Sequence, residues 1–286
     1  MNKRSSEKHL INPNKPKVKL PSGKSYLQVK EIVETFGLNT ICQSGKCPNL
    51  AECWGAGTAT FMILGDICTR SCRFCSVKTG KPFPPDPDEP QKIADSVKKM
   101  SLRHCVITSV DRDDLADGGS IHWKKTISEI KKVNPFIKME VLIPDFKFNT
   151  KALDEIISVK PDIVSHNLET VEKLTPKVRV QAKYKRSLQV LKYLSDKGVV
   201  TKSGIMLGLG ETKEEVIRTI EDIFEMSCKI LTIGQYLQPT PDNLPVLKFY
   251  SPEEFDELKQ IALEKGFRMV ESGNLVRSSY HAEKHV

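Results

Sequence analysis

Six of the eight cysteines in this 286-residue chain fall between positions 42 and 75, in two groups of three. The tighter group is Cys68-Thr-Arg-Ser-Cys72-Arg-Phe-Cys75, a C-x3-C-x2-C spacing. Three soft thiolates in one loop suit three irons of a four-iron cluster and leave the fourth iron without a protein ligand. A small molecule offering an amine and a carboxylate can chelate that open iron. A structural zinc loop is the competing reading, but zinc normally takes four ligands and three cysteines of one loop are an unusual set for it. The second group, Cys42-Gln-Ser-Gly-Lys-Cys47-Pro-Asn-Leu-Ala-Glu-Cys53-Trp, has a C-x4-C-x5-C spacing. It implies a second cluster, which would carry electrons, bind substrate or supply atoms. Cys105 and Cys228 stand in apolar company and read as small buried hydrophobes.

The elements that must position these cysteines form a repeating pattern from residue 58 onward, a short apolar run followed by a stretch of helical periodicity. Strands are expected at Ala59–Leu64, His104–Ser109, Lys138–Ile143, Asp162–His166, Val200–Leu207 and Ile230–Tyr236. Helices are expected at Glu89–Met100, Ile121–Lys132, Thr150–Val159, Ala182–Lys197, Lys213–Met226 and Pro252–Lys265. Such alternation predicts an α/β fold with parallel strands and crossover helices. Two architectures fit, an open doubly wound sheet and a partial (β/α)6 TIM-type barrel. No Gly-x-Gly-x-x-Gly follows the first strand, and polar residues gather after nearly every strand, among them Asp111 to Asp114, Asn167 with Glu169, and Gln235 with Gln238. Barrels build their sites at that end, so the barrel is the expectation, with Cys68 to Cys75 in its first loop. An N-terminal cysteine-rich extension, residues 1–57, precedes the barrel at 58–270, and a short C-terminal extension, 271–286, follows it. Within the first of these, a helix from Leu27 to Phe36 ends at Gly37, and residues 1–24 read as a mobile or surface-hugging arm.

Composition bounds the rest. A hydrophobic share of 39% with 28% charged residues is ordinary for a chain with a sizeable core. No apolar run reaches the roughly 18 residues of a membrane span, and the first ten residues are too polar for a signal peptide. A cytoplasmic address is the expectation, and in that reducing setting clustered cysteines read as ligands rather than disulfides. The net charge of +8 suits an acidic partner, whether nucleic acid or acidic protein, though much of the excess lies on helical faces where solubility explains it.

The Cys68–Cys72–Cys75 loop, with the aromatic Phe74 before its third cysteine, resembles the signature of the radical S-adenosylmethionine superfamily. The resemblance implies a [4Fe-4S] cluster whose electron cleaves S-adenosylmethionine to methionine and a 5′-deoxyadenosyl radical. Two further segments are similar to that superfamily. Gly118-Gly119 follows the second strand, where related enzymes meet the methionine amino group. Gly204-Ile-Met-Leu-Gly208-Leu-Gly210-Glu211 matches a G-x-I-x-G-x-x-E pattern near adenine, with Met206 in the place of isoleucine. Position alone makes Asn167, Glu169 and Arg186 candidates for ribose and methionine contacts. His166 stays open between a strand-end histidine and a ligand, Trp54 between a cluster shield and core, and His281 and His285 have no assigned role.

Pairing of the Cys42–Cys47–Cys53 triplet with the late Arg277-Ser278-Ser279-Tyr280 segment resembles lipoyl synthases, from about Lys24 to Ala282. The resemblance implies that Ser279 joins Cys42, Cys47 and Cys53 on a second [4Fe-4S] cluster, which is the consumed source of two sulfur atoms inserted at carbons six and eight of an octanoyl group on a lysine. It also implies octanoylated lipoyl carrier domains as partners: the 2-oxoacid dehydrogenase acyltransferase subunit and the glycine cleavage H protein. A ferredoxin or flavodoxin electron donor and an iron–sulfur cluster carrier follow too, with no nucleic acid and no membrane. The rivals are a methylthiotransferase, which expects a longer N-terminal cluster domain and an added RNA-binding domain, and biotin synthase, whose second ligand set is spread through the barrel. A non-enzymatic cluster carrier or iron sensor comes from a different class.

Overall fold

Apolar runs buried on both faces pair as parallel strands, and here six of them, with a more polar strand at one edge, form a seven-stranded sheet. In a computed structural model, which describes residues 22–285 together with Pro16 and Val18, the strands are β1 Thr60–Ile63, β2 His104–Ser109, β3 Lys138–Leu142, β4 Ile163–Ser165, β5 Thr201–Leu207, β6 Ile230–Gln235 and β7 Met269–Gly273. Each pairs in parallel with its sequence neighbour, and the ladder stops at β1 and β7 without closing between them. The six expected strand–helix units are present, and a seventh, unexpected strand follows the last of them. Met269–Gly273 escaped because an edge strand needs no apolar run, and only Val270 of its five residues is buried. The proposed arm at residues 1–24 lies almost wholly outside the described residues.

The helices are α1 Lys24–Thr35, α2 Ile41–Ser44, α3 Leu50–Gly55, α4 Glu89–Lys99, α5 Ser120–Val133, α6 Thr150–Ser158, α7 Thr175–Val178, α8 Tyr184–Asp196, α9 Lys213–Glu225 and α10 Pro252–Lys265. In α9 the buried side chains are Val216, Thr219, Ile220 and Ile223, one stripe at helical spacing. A reciprocal cap fixes its start: the Thr212 hydroxyl accepts from the Glu215 N–H, and the Glu215 carboxylate accepts from the Thr212 N–H. Ser251 and Glu254 repeat that device at α10, which ends at Gly266 with φ 112°. Among the described residues no helix is long and apolar enough to cross a membrane.

The N-terminal extension continues the sheet's edge. Thr40 forms an antiparallel bridge with Phe61, and the Met62 N–H donates to the Asn39 carbonyl at 2.9 Å. Trp54, 1% exposed, packs in the core with Cys42 and lies 5.4 Å from the ring of Tyr26. Cys105 and Cys228 are fully buried, as small hydrophobes are.

Polar side chains also occupy the barrel interior. Lys202 Nζ of β5 lies 2.8 and 2.9 Å from the two carboxylate oxygens of Glu140 on β3, and both side chains are fully buried. Burial alone would raise the Glu140 carboxyl, but the Lys202 charge and hydrogen bonds from Lys202 and Ser165 bring it down to about 2. Removing one partner strands the other charge in the interior. Lys202→Met is expected to lower the unfolding free energy by about 3–5 kcal/mol in chemical denaturation, and the double variant Glu140→Gln/Lys202→Met to recover part of that loss.

Candidate active site

The loop from β1 to α4 carries Cys68, Cys72 and Cys75, and several ties hold it over the strand ends. A two-residue parallel ladder pairs Ile67–Cys68 with Lys78–Thr79, and the Gly80 N–H returns to the Cys68 carbonyl at 3.0 Å. Inside the loop, Arg70 turns inward with 3% side-chain exposure and meets three carboxylates: Asp113 at 2.8 and 2.9 Å, Asp145 at 2.7 Å and Asp111 at 3.2 Å. These acids stand after β2 and β3, so one guanidinium ties the loop to two strand ends. On the far side the Asn243 amide donates to the Cys75 carbonyl at 2.9 Å, and the Arg73 N–H to the Val178 carbonyl at 2.9 Å. Backbone N–H groups of Arg70 and Asp111 point at Cys68 Sγ from 3.4 and 3.3 Å, and that of Val77 at Cys75 Sγ from 3.5 Å.

The other triplet sits on the N-terminal extension. Thr40 caps α2, which holds Cys42; the Cys47 N–H donates to the Cys42 carbonyl at 3.0 Å; and α3 presents Cys53. Facing it is the segment after β7. The Asn49 amide donates to the Leu275 carbonyl at 2.6 Å, Thr60 Oγ1 to Ser279 Oγ at 2.9 Å, and Tyr280 Oη to Glu52 Oε1 at 3.1 Å. The Asn167 amide donates to Ser278 Oγ. Thus the tail bridges β1, the extension and the turn after β4, across the gap that the sheet leaves open.

Both triplets line one cavity of about 580 Å³, together with Phe74, Asn167, Glu169 and Ser279. Burial pushes the Cys42 and Cys68 thiols up to about 11 and those of Cys53 and Cys72 to about 12, and raises Cys47 and Cys75 as well. Thiolates there need a positive partner. Among the described residues no three His, Cys, Asp or Glu side chains are gathered closely enough for a single metal ion. A four-iron cluster takes one thiolate per iron, and each triplet offers three sulfurs for such a set. All eight cysteines are free thiols.

Gly118, Gly119, Arg186, Gly208 and Glu211 do not line the cavity, whereas His166 does. Gly119 caps α5 with φ 87°, and a β-carbon there would meet Leu64 at 2.6 Å; one at Gly118 would meet Phe146 at 2.9 Å. The Glu211 carboxylate accepts from the N–H groups of Gly208 and Leu209 and from the Tyr250 hydroxyl, so it shapes the turn after β5. Arg186 Nη1 lies 3.4 Å from Asp145 and joins the Arg70 network from behind. His166 is a buried strand-end histidine, its ring between the Ile143 carbonyl and the Ser187 hydroxyl at 2.9 Å each.

Sequence reasoning missed three groups. Arg70, Asp111 and Asp145 form the clamp just described; the acidic run after β2 was visible, its partner inside the cysteine loop was not. Arg179 donates to the carbonyls of Asn167 at 3.0 Å and Leu168 at 3.1 Å, fixing the turn that carries Asn167 and Glu169. His285 is buried beside Lys202, far from any motif that would reveal it.

Residues 62–223 match the family model of the Radical SAM superfamily. The mitochondrial lipoyl synthase of Nematostella vectensis is 58% identical over 284 residues, covering 97% of this chain and 98% of that protein. The lipoyl synthase of Flavobacterium johnsoniae is 57% identical over 280 residues, covering 96% and 97%. Solved structures share the fold at low identity. Methylornithine synthase superposes with a TM-score of 0.56 at 12% identity, covering 86% of this chain and 82% of that one. SuiB of Streptococcus suis, bound to S-adenosylmethionine, gives 0.59 at 13%, covering 75% and 50%. A chain this similar over its whole length to lipoyl synthases, with a radical S-adenosylmethionine barrel at its centre, belongs to the lipoyl synthase family of sulfur-inserting enzymes.

Proposed function

We propose that the chain divides its labour between the two triplets: Cys68, Cys72 and Cys75 hold the cluster that meets S-adenosylmethionine, and Cys42, Cys47, Cys53 and Ser279 hold a second [4Fe-4S] cluster. The observation that carries this reading is that both triplets and Ser279 line a single cavity. Loaded with its cluster, the first site would supply a radical that takes hydrogen from a carbon of the substrate, and the second would supply the two sulfur atoms inserted at carbons six and eight of an octanoyl-lysine.

The chain's own residues bind, orient and shield. Arg70 holds the first loop rigid through its three carboxylates. Phe74, Asn167 and Glu169 are the cofactor contacts on the cavity wall, while Gly118, Gly119, Gly208 and Glu211 shape the turns after β2 and β5 and Arg186 joins the Asp145 network. Met62, Val106, Leu142 and Ile205 give the wall between the triplets an apolar surface suited to an octanoyl chain. Ser279 offers a hard oxygen where the other ligands are soft sulfur, the bond most readily broken in a site that must open.

The division into an extension at 1–57, a barrel at 58–270 and a closing tail at 271–286 follows from the same reading. So do its partners: octanoylated lipoyl carrier domains of 2-oxoacid dehydrogenase acyltransferase subunits and of the glycine cleavage H protein, a ferredoxin or flavodoxin donor, and a cluster carrier that reloads the second site. A cytoplasmic address, whose reducing conditions keep cysteines from pairing as disulfides, belongs to the same reading.

Anaerobic single-turnover mass spectrometry with an octanoyl-lysine peptide separates the two roles. Cys47→Ala is expected to form 5′-deoxyadenosine without thiolating the peptide, and Cys72→Ala to form neither product. Thiolation by the Cys47 variant would overturn the assignment. Arg70→Lys, which cannot span three carboxylates, is expected to lose iron from the first site and about 2–4 kcal/mol of stability. Iron content after desalting and a denaturation curve check both effects.

A further inference from the structure

Besides the direct bonds of Ser278, Ser279 and Tyr280, the tail that carries Ser279 is anchored on each side of them. Upstream, the Leu275 carbonyl accepts from Asn49, and the Val276 carbonyl lies against β6, 2.2 Å from where a β-carbon on Gly234 would stand. Downstream, the chain dives into the barrel interior. His285 is 1% exposed, its Nδ1 lies 3.0 Å from Lys202 Nζ, and its backbone carbonyl accepts from Arg268 Nη2 at 3.1 Å.

The chemistry of Lys202 explains why a histidine stands there. An ammonium has three protons and no acceptor, and a buried donor without a partner is costly. Two of those protons meet the carboxylate oxygens of Glu140. The third is left for His285, whose Nδ1 must therefore be the accepting, unprotonated nitrogen. A leucine of similar size would fill the space and leave that proton unmatched.

We propose that His285 is a positioning residue: seated on the buried Lys202–Glu140 pair, it latches the tail in the barrel and holds Ser279 at the open seam against Thr60. The consequence for iron rests on the reading of Ser279 as a ligand given above; the latch itself does not. No motif around His285 announces this role, and the distance to the cysteine triplets in sequence is long.

The test uses the fully loaded protein under anaerobic conditions, with two readouts. Amide hydrogen exchange across residues 276–284 reports the latch, and the Mössbauer spectrum, with Ser279→Ala as the reference, reports the iron that the tail faces. His285→Ala is expected to speed exchange of the tail by about tenfold or more while the barrel strands stay protected. Its spectrum is expected to shift in the same sense as that of Ser279→Ala. His285→Asn, whose amide oxygen falls close to the Nδ1 position, is expected to restore both. Tail exchange at the wild-type rate in His285→Ala overturns the latch, and so does loosening that spreads through the barrel. A loosened tail with a wild-type spectrum, where Ser279→Ala does shift it, overturns the positioning role. If Ser279→Ala leaves the spectrum unchanged, the ligand reading fails and the exchange data alone decide the latch.

Discussion

A parallel sheet whose first and last strands never meet leaves a gap on one side of its barrel, with unpaired backbone groups at both edges. Here the chain's two extensions take up that gap. Residues 39 and 40 bond the edge of β1, and the segment after β7 runs back across the interior to Thr60 and Asn49. The seal is made of the same residues that carry the second ligand set. Closing the barrel and building the site are therefore one structural event, and the fold positions its chemistry by using ligand-bearing segments as wall.

Charge governs the interior that results. Six thiols, the carboxylates of Asp111 and Glu169 and the guanidinium of Arg277 all line one cavity. Burial raises Glu169 and Asp111 and lowers Arg277, so each is held in a setting that disfavours its ionised form. Arg277 lies near Cys47 and Glu169, and its charge opposes the cost of ionising them. Where the chain needs rigidity instead, it supplies close ion pairs: Arg70 with Asp113 and Asp145, and Lys202 with Glu140. The cavity is undercompensated where positively charged iron is expected and balanced where the frame must not move.

Most of the fold was legible because its rules are local. Strand and helix limits follow from apolar periodicity, and the expected strand at His104–Ser109 and helix at Pro252–Lys265 coincide with those in the structure. The seventh strand was hidden because an edge strand is only half covered, leaving Met269–Gly273 too polar to signal itself. The cysteine triplets were legible for a similar reason, since their ligand spacing is written within a dozen residues. Arg70, Arg179 and His285 were not, because each acts through partners from distant strands, and a single sequence carries no sign of which arginine meets which acid. Glu211 shows the converse: a recognisable pattern placed it at the site, yet its carboxylate is spent on the backbone of its own turn.

The hydrogen bond between Thr60 and Ser279 joins residues 219 positions apart, whereas Cys68 to Cys75 span a single loop. That disparity sets an order of assembly. The first loop and the strands that clamp it, β1 to β3, lie within the first half of the chain and make contacts of modest sequence separation. The second site draws on both extremities, and contacts so distant form late because loop closure must precede them. During synthesis the first site can take shape while the second has no wall, since the segment that completes it has not yet been made. The two halves of one cavity thus mature at different times.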